Sequence, residues 1–452
     1  MTDLKCKLLI IGAGPGGYVC AIRAGQLGVD TIVVDEANPG GTCLNVGCIP
    51  SKALIHAADE FHKMAHASDG PLGITAGKPE IDLSRTVAWK DGIVKRLTGG
   101  VSGLMRKAGV RVVEGRARFL DGKTVAVKRD GETTQIRAER IVIASGSAPV
   151  ELLSLPFGGD ILSSTEALAL QAGPETLAVV GAGYIGLELG TAFAKLGARV
   201  TVVEAEDRIL PLYDQALTRP VAKRLETLGI NVMTGARAEG FADGVLSTTQ
   251  GDIKAEKVLV TVGRRPRMDG IGVDELALTL NGPYIRIDKT CQTSMRGIYA
   301  IGDVTGEPML AHRAMAQGEM VAEHAAGHAV EWDKRAIPAV CFTDPEIVTC
   351  GALPGEVEGS SSTEFPFAAN GRAMTTERED GFIRVVWRDA DKAVLGLQAA
   401  GAGVSELSAA FSLAIEMGAC LEDIAATIHA HPTQSEGLQE ACLRALGHAL
   451  HI

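Results

Sequence analysis

Two cysteines separated by four residues, Cys43 and Cys48, stand in the run Gly40-Gly41-Thr42-Cys43-Leu44-Asn45-Val46-Gly47-Cys48-Ile49-Pro50-Ser51-Lys52. Thiols this close in sequence can hold a metal, staple a loop, or exchange electrons as a dithiol and disulfide. On a regular α-helix, residues i and i+5 have Cα atoms about 8.7 Å apart. A disulfide tolerates at most about 7 Å. The pair can therefore close only where the helix is broken. Gly47 loosens the backbone between the cysteines, and Pro50 removes a donor from the following turn. A structural bridge across so short a loop would add little, because the closure entropy is small. A zinc site typically has two to four residues between ligands and wants a second ligand pair, and no such pair follows. The run reads as a small, bent, reducible ring with redox-active thiols and no metal.

A second candidate lies far downstream, in Ile428-His429-Ala430-His431-Pro432-Thr433-Gln434-Ser435-Glu436. Pro432 restricts the backbone of His431 to extended or turn geometry, and Glu436 is expected one turn into the next helix. A carboxylate on one imidazole nitrogen fixes the tautomer and leaves the other nitrogen as a base. A single histidine is more often a surface or satisfied core residue. The proline and the glutamate favour catalysis, with His431 preferred to His429.

The elements that must position these groups follow. Leu8-Leu9-Ile10-Ile11 is a continuous apolar run of the kind buried on both faces of a parallel sheet. It enters Gly12-Ala13-Gly14-Pro15-Gly16-Gly17, a helical pattern closed by Gly28, and a strand Thr31-Ile32-Val33-Val34 ending at Asp35. In this dinucleotide fingerprint Gly12 makes the turn, Gly14 admits a pyrophosphate, and Gly17 brings helix and strand together. Asp35 is placed for a ribose hydroxyl. The unit recurs: Gly181, Gly183, Gly186, Gly197 and Glu204 follow Gly12, Gly14, Gly17, Gly28 and Asp35 at one constant offset of 169 residues. Two intact copies imply two nucleotides held at once, rather than one working copy and one decayed.

A further echo joins Ile141-Val142-Ile143-Ala144-Ser145-Gly146-Ser147-Ala148-Pro149 to Val258-Leu259-Val260-Thr261-Val262-Gly263-Arg264-Arg265-Pro266. Each is a strand, a glycine turn and a proline, closing a βαβ domain and starting a crossover. A helix at about 80–108 and short strands around 111–137 read as an excursion carried by the first domain. Gly297-Ile298-Tyr299-Ala300-Ile301-Gly302-Asp303 is again a strand running into an acid. Asp303 suits a ribityl or ribose hydroxyl of the first nucleotide, or serves as a plain helix N-cap. A helix follows from Met309 to Gly327. From about Ala339 the pattern turns to strands at 382–387 and 393–397 and helices at about 404–417 and 434–448. That last domain has no phosphate loop and suits assembly.

Composition narrows the class. The chain has 452 residues, 54 of them glycine, and a net charge of −11. An acidic balance argues against nucleic acid and anionic membrane as partners. Cys6, Cys20, Cys291, Cys341, Cys350, Cys420 and Cys442 sit among small or apolar residues and read as reduced core thiols, which points to a cytoplasmic protein. Met1-Thr2-Asp3-Leu4-Lys5 leads into a strand, not a signal peptide or membrane span.

The cysteine run, both fingerprints, Ile301-Gly302-Asp303 and His431-Pro432-Thr433 together resemble the pyridine nucleotide–disulfide oxidoreductases over the whole chain. The resemblance implies an α/β fold: two Rossmann-like dinucleotide-binding domains and a C-terminal α+β dimerisation domain. It implies an FAD domain at 1–149, an NAD domain at 150–267, a central domain at 268–338 and an interface domain at 339–452. FAD would meet Gly12, Gly14, Gly17, Asp35, Thr42, Lys52, Ser145, Gly146, Asp303 and Ala311. NAD would meet Gly181, Gly183, Gly186, Glu204 and Gly263. The catalytic set would be Cys43, Cys48, Lys52 with its partner Glu188, and the His431–Glu436 pair reaching across a homodimer. Asp35 departs from the family, where glutamate is frequent; both can accept from a ribose. Within the family the chain resembles the branch that reoxidises protein-bound dihydrolipoyl groups with NAD⁺. That branch serves as E3 of 2-oxo acid dehydrogenase complexes, and its partners would be a lipoyl domain and the E2 core. The stretch Cys341–Glu346 and the final Gly-His-Ala-Leu-His-Ile point to the branched-chain version. The alternative is a relative running the opposite way, reducing disulfides or metal ions with NAD(P)H. Glu204-Ala205-Glu206-Asp207 would repel a 2′-phosphate, and the C-terminus lacks a cysteine pair.

Overall fold

The structure is a computed structural model that describes residues 2–452; Met1, part of the stretch read as an N-terminal strand, lies outside the described residues. Leu8, Leu9, Ile10 and Ile11 are buried in the strand Thr2–Ile11. It pairs in parallel with Thr31–Asp35 on one side and Glu132–Ile143 on the other. The apolar run thus occupies the centre of a seven-stranded sheet. Arg111–Glu114 adds to Thr31–Asp35, and Ile298–Ala300 adds to Glu132–Ile143, both in parallel. The region expected to be an excursion is part of this sheet. Helix Leu83–Lys107 is the crossover to Arg111–Glu114, and Arg116–Phe119 and Thr124–Arg129 extend the sheet antiparallel beyond Glu132–Ile143.

The second fingerprint builds a five-stranded parallel sheet in the order 231–233, 199–203, 176–180, 257–260, 161–162. The two glycine–proline echoes pair with each other: Ser147–Pro149 lies antiparallel to Arg264–Pro266. They form a two-stranded connection where the chain crosses between the two fingerprint domains.

The chain then returns to the first domain. Helix Ala311–Ala325 packs on the fingerprint helix Pro15–Gln26. The approach is so close that a Cβ on Gly318 would lie 2.3 Å from the Gly16 carbonyl oxygen. A five-stranded antiparallel sheet follows, in the order 339–341, 346–351, 394–401, 382–388, 360–366. Its strands Glu346–Gly351 and Ser360–Pro366 and the helix Leu421–Ala426 go beyond the sequence expectation. Ser360-Ser361-Ser362-Thr363-Glu364 carries no apolar alternation, and it is held as a strand by its pairing with Phe382–Arg388. Cys420 is not a core thiol. It caps helix Leu421–Ala426, with its sulfur 3.0 Å from Asp423. The other six isolated cysteines are buried. Among the described residues no helix is long and apolar enough to cross a membrane.

Candidate active site

The cysteine run forms two helices, Gly41–Val46 and Cys48–Ala65, broken at Gly47 with φ −135° and ψ −109°. The break falls at the glycine between the cysteines. Pro50 plays a different part from the one expected. It sits in the first turn of the second helix, where its missing N–H costs no intrahelical bond. The break brings the two thiols together, both unbonded and in hydrogen-bond contact. Cys48 becomes the first residue of an 18-residue helix, a position that favours a thiolate. The hydrogen bond donated by Cys43 is the largest influence on Cys48, and Lys52 adds to it; against the burial that opposes them, they bring its thiol down to about 7. Donating that bond, and being buried, pushes Cys43 up. Of the two sulfurs, Cys48 is the one whose surroundings favour the thiolate.

Lys52, one turn beyond Cys48, donates to Glu188 Oε2 at 2.8 Å. Glu188 is 4% exposed and belongs to helix Tyr184–Lys195 of the second domain. Its other oxygen accepts from the Phe342 N–H at 2.9 Å. The Lys52 ammonium also lies 4.4 Å from the centre of the Phe342 ring.

A cavity of about 590 Å³ gathers most of the residues expected at the first nucleotide. Gly12, Gly14, Asp35, Thr42, Cys43, Cys48, Lys52, Ser145, Gly146, Asp303 and Ala311 all line it. Gly17 does not; a Cβ there would sit 1.9 Å from the Gly12 carbonyl oxygen, so its task is helix–strand packing. Gly12 has φ +103°, and a Cβ on it would meet the Ala144 carbonyl oxygen at 2.3 Å. Asp35 accepts from the N–H groups of Ala13 at 2.5 Å and Ala37 at 2.9 Å. Asp303 is not a helix cap: it accepts from Ser147 Oγ at 2.5 Å, and Arg264 donates to that same hydroxyl at 2.8 Å. The Ser145 hydroxyl is buried with no partner in the protein. An unsatisfied buried hydroxyl facing a glycine-rich helix N-terminus fits a polar ligand such as a dinucleotide pyrophosphate.

The second fingerprint repeats this geometry. Gly181 has φ +101°, and its Cβ would meet the Thr261 carbonyl oxygen at 2.7 Å; one on Gly186 would meet the Gly181 carbonyl oxygen at 2.2 Å. Glu204 accepts from Ala182 N–H at 2.6 Å and Glu206 N–H at 2.8 Å. Gly183 and Gly263 have nothing within 4 Å of a built Cβ, so both leave open backbone beside the turn.

His431 Nδ1 lies 2.8 Å from Glu436 Oε1, and the Thr433 N–H donates to Glu436 Oε2 at 2.7 Å. Glu436 is the first residue of helix Glu436–Ala445, a turn earlier than expected. Burial pushes its carboxyl up, but the Thr433 N–H and His431 outweigh burial and hold it below the ordinary range. His431 is 80% exposed and does not line the cavity of its own chain. Among the described residues no metal-holding cluster occurs.

The chain matches the pyridine nucleotide-disulphide oxidoreductase family over residues 6–318 and that family's dimerisation domain over 337–442. It belongs to this family. FAD and NAD are the cofactors that membership implies, and the dimerisation domain makes the enzyme a homodimer. The chain is 57% identical to a dihydrolipoyl dehydrogenase of Pseudomonas aeruginosa, covering 99% of both chains. It is 47% identical to dihydrolipoyl dehydrogenase 2 of Haloarcula marismortui, covering 98% of both. It is 43% identical to the Geobacillus stearothermophilus enzyme of the first name, covering 99% of this chain and 98% of that one. Among solved structures it resembles LpdA of Mycobacterium tuberculosis, with a TM-score of 0.89 and 28% identity over 98% of this chain and 100% of that one. The Escherichia coli flavoprotein disulfide reductase RclA shares the fold, with a TM-score of 0.87 at 23% identity over 97% of this chain and 99% of that one.

Sequence reasoning missed Phe342, Ser147 and Arg264 at this site. Phe342 stood in a quoted run with no chemistry assigned to it. Ser147 and Arg264 stood in the paired glycine–proline echoes, whose mutual register was the available signal.

Proposed function

We propose that this oxidoreductase oxidises protein-bound dihydrolipoyl groups with NAD⁺, as the E3 component of a 2-oxo acid dehydrogenase complex. The observation that carries this is the thiol pair at the start of helix Cys48–Ala65, with Lys52 beside it, opening onto the cavity of the first fingerprint. The dihydrolipoyl dehydrogenases, 41–57% identical over nearly the whole chain, support it. FAD is placed at the first fingerprint with Asp35, Thr42, Ser145, Gly146, Asp303 and Ala311, and NAD at the second with Glu204 and Gly263. The domain limits 1–149, 150–267, 268–338 and 339–452 belong to the same reading.

His431 takes the proton of one substrate thiol, with Glu436 holding its other ring nitrogen. The resulting thiolate attacks Cys43 Sγ; the Cys43–Cys48 bond breaks and Cys48 leaves as thiolate. The backbone N–H of Cys48 and the Lys52 charge favour that leaving group. The second substrate thiol attacks the substrate sulfur of the mixed disulfide, its proton passing to Cys43 as the bond between Cys43 and the substrate breaks. Oxidised lipoyl departs, leaving Cys43 as thiol, Cys48 as thiolate and the first proton on His431. Bound FAD supplies the two-electron path from the reduced dithiol to NAD⁺. His431 acts on the partner subunit's dithiol. Its exposure, and the exposed Leu413, Met417 and Ile428 of the same domain, support a shared site in the homodimer.

The partners are a lipoyl domain and the E2 core, with the branched-chain complex favoured by the Cys341–Glu346 stretch. The buried reduced thiols support a cytoplasmic setting. Neither nucleic acid nor membrane is a partner at this net charge. The test is direct. The purified protein should carry FAD and oxidise dihydrolipoamide with NAD⁺ far faster than with NADP⁺. Disulfide or metal-ion reduction by NADPH, without lipoyl turnover, would establish the opposite-running alternative.

A further inference from the structure

Two ion pairs join the helix that begins at Cys48 to the helix that begins at Tyr184. Lys52 meets Glu188 at 2.8 Å, and two turns further along both helices Asp59 meets Lys195 at 2.5 Å. Each pair links residues 136 apart, so the helices run side by side in one register, with the sign of the charges reversed between rungs. The two rungs span the two nucleotide domains.

A loop of the C-terminal domain, Cys341–Pro345, lies across both rungs. At the first, the Phe342 N–H donates to Glu188 and the Phe342 ring faces the Lys52 ammonium. At the second, Asp344 meets Lys195 at 2.7 Å, Arg224 at 2.9 Å and Arg378 at 2.5 Å. Lys195 is 7% exposed and Asp344 9%. A buried acid held by three cations fixes the loop, and Lys195, 6% exposed in its side chain, is the cation that ties Asp344 to the Asp59 rung. The loop in turn limits where Lys52 can go. Its ammonium has a carboxylate on one side and an aromatic face on the other, a geometry that attracts a cation.

We propose that Phe342, Asp344 and Lys195 are positioning residues for the Lys52–Glu188 pair: the second rung and its loop hold the Lys52 cation beside Cys48. This rests on the reading of Cys43 and Cys48 as the redox dithiol. The groups facing Cys48 are Cys43 from the preceding helix, Lys52 from its own, Glu188 from the second domain and Tyr18 from the fingerprint helix. Only Lys52 is a cation among them, so its displacement must disfavour the Cys48 thiolate.

The experiment uses FAD-loaded enzyme in a Cys43→Ser background, where Cys48 is the single active-site thiol. The long-wavelength absorbance of a thiolate against oxidised flavin is titrated with pH. Adding Phe342→Leu, which keeps the N–H but loses the ring, should move the midpoint up by about half to one pH unit. Lys195→Met should do the same from two turns beyond Glu188 on the second-domain helix. Phe342→Tyr and Lys195→Arg should restore the parental midpoint. Flavin content, measured on each variant, separates displacement of Lys52 from loss of the fold. If Phe342→Leu loses flavin, the contrast between Lys195→Met and Lys195→Arg decides. Unchanged midpoints in flavin-replete Phe342→Leu and Lys195→Met would overturn the proposal. A parent with no titrating absorbance would instead overturn the dithiol reading on which it rests.

Discussion

The two fingerprints are nearly the same object built twice, and they differ where the chain returns to them. Each turn glycine sits near φ +100° against a neighbouring carbonyl. Each packing glycine abuts the turn glycine's own carbonyl oxygen. Each terminal acid accepts from the residue after that glycine and from the residue two beyond itself. Around the first copy, however, Gly41 closes to 3.8 Å from a built Gly14 Cβ, helix Ala311–Ala325 packs over the fingerprint helix, and Asp303 arrives on a Ser147–Arg264 support. Around the second, Gly183 and Gly263 face open space. The backbone beside Gly14 is the more closely packed of the two, while Gly146 and Gly263 are equally open; a more firmly held nucleotide at the first copy is what the proposed FAD site predicts.

Substitution at the packing glycines should break this comparison most sharply. Gly17→Ala places a methyl 1.9 Å from the Gly12 carbonyl oxygen and should cost about 1–3 kcal/mol or more. Flavin retention after gel filtration should be lost. Gly186→Ala meets an equivalent clash at 2.2 Å, but the flavin should stay and the KM for NAD⁺ should rise about tenfold or more. Equal flavin loss in both variants would erase the distinction.

The terminal acids sharpen it at an intermediate scale. Asp35→Ala should weaken FAD retention, and Glu204→Ala should leave FAD in place while raising the KM for NAD⁺ by about tenfold. Each removes hydrogen bonds worth about 1 kcal/mol apiece. Glu204→Ala should relax discrimination against NADP⁺ without creating strong use of it, since no arginine replaces the lost contact. Comparative steady-state rates with both nucleotides check this, and an NADP⁺ preference in the parent would contradict the placement of NAD.

The smallest effects should be equal in both copies. Gly28 and Gly197 have φ of +75° and +103° and no neighbours within 4 Å of a built Cβ. Alanine at either should cost about 1–2 kcal/mol through left-handed backbone alone, with nucleotide binding unchanged. Urea unfolding alongside flavin and NAD⁺ binding would show whether that symmetry holds.

Much of this was legible in the sequence because it is local. The constant 169-residue offset fixed the glycine turns, and Gly47 marked the break that joins Cys43 to Cys48. His431 and Glu436 are five residues apart, and their contact follows from that spacing. What escaped depends on contacts between distant segments. Phe342 and Glu188 are 154 residues apart, Ser147 and Asp303 are 156, and neither pair leaves a periodic trace. Ser360–Pro366 is a strand only because Phe382–Arg388 supplies its partner, and Cys420 looked like a core thiol because its helix-capping task needs no distinctive neighbours. Pro50 was read as a kink, although at a helix start proline is neutral.

In the proposed shared site, the dithiol of one subunit works with the His431–Glu436 pair of the other. Cys43→Ser and His431→Ala should each be inactive or nearly so, since general-base assistance is worth about 10²–10⁴ in rate. Mixed as verified heterodimers, they leave one of two sites with an intact dithiol and an intact His431–Glu436 pair. Activity should then recover well above either parent, toward half that of the unmodified dimer. Heterodimers that form and retain FAD yet recover no activity would contradict the shared site.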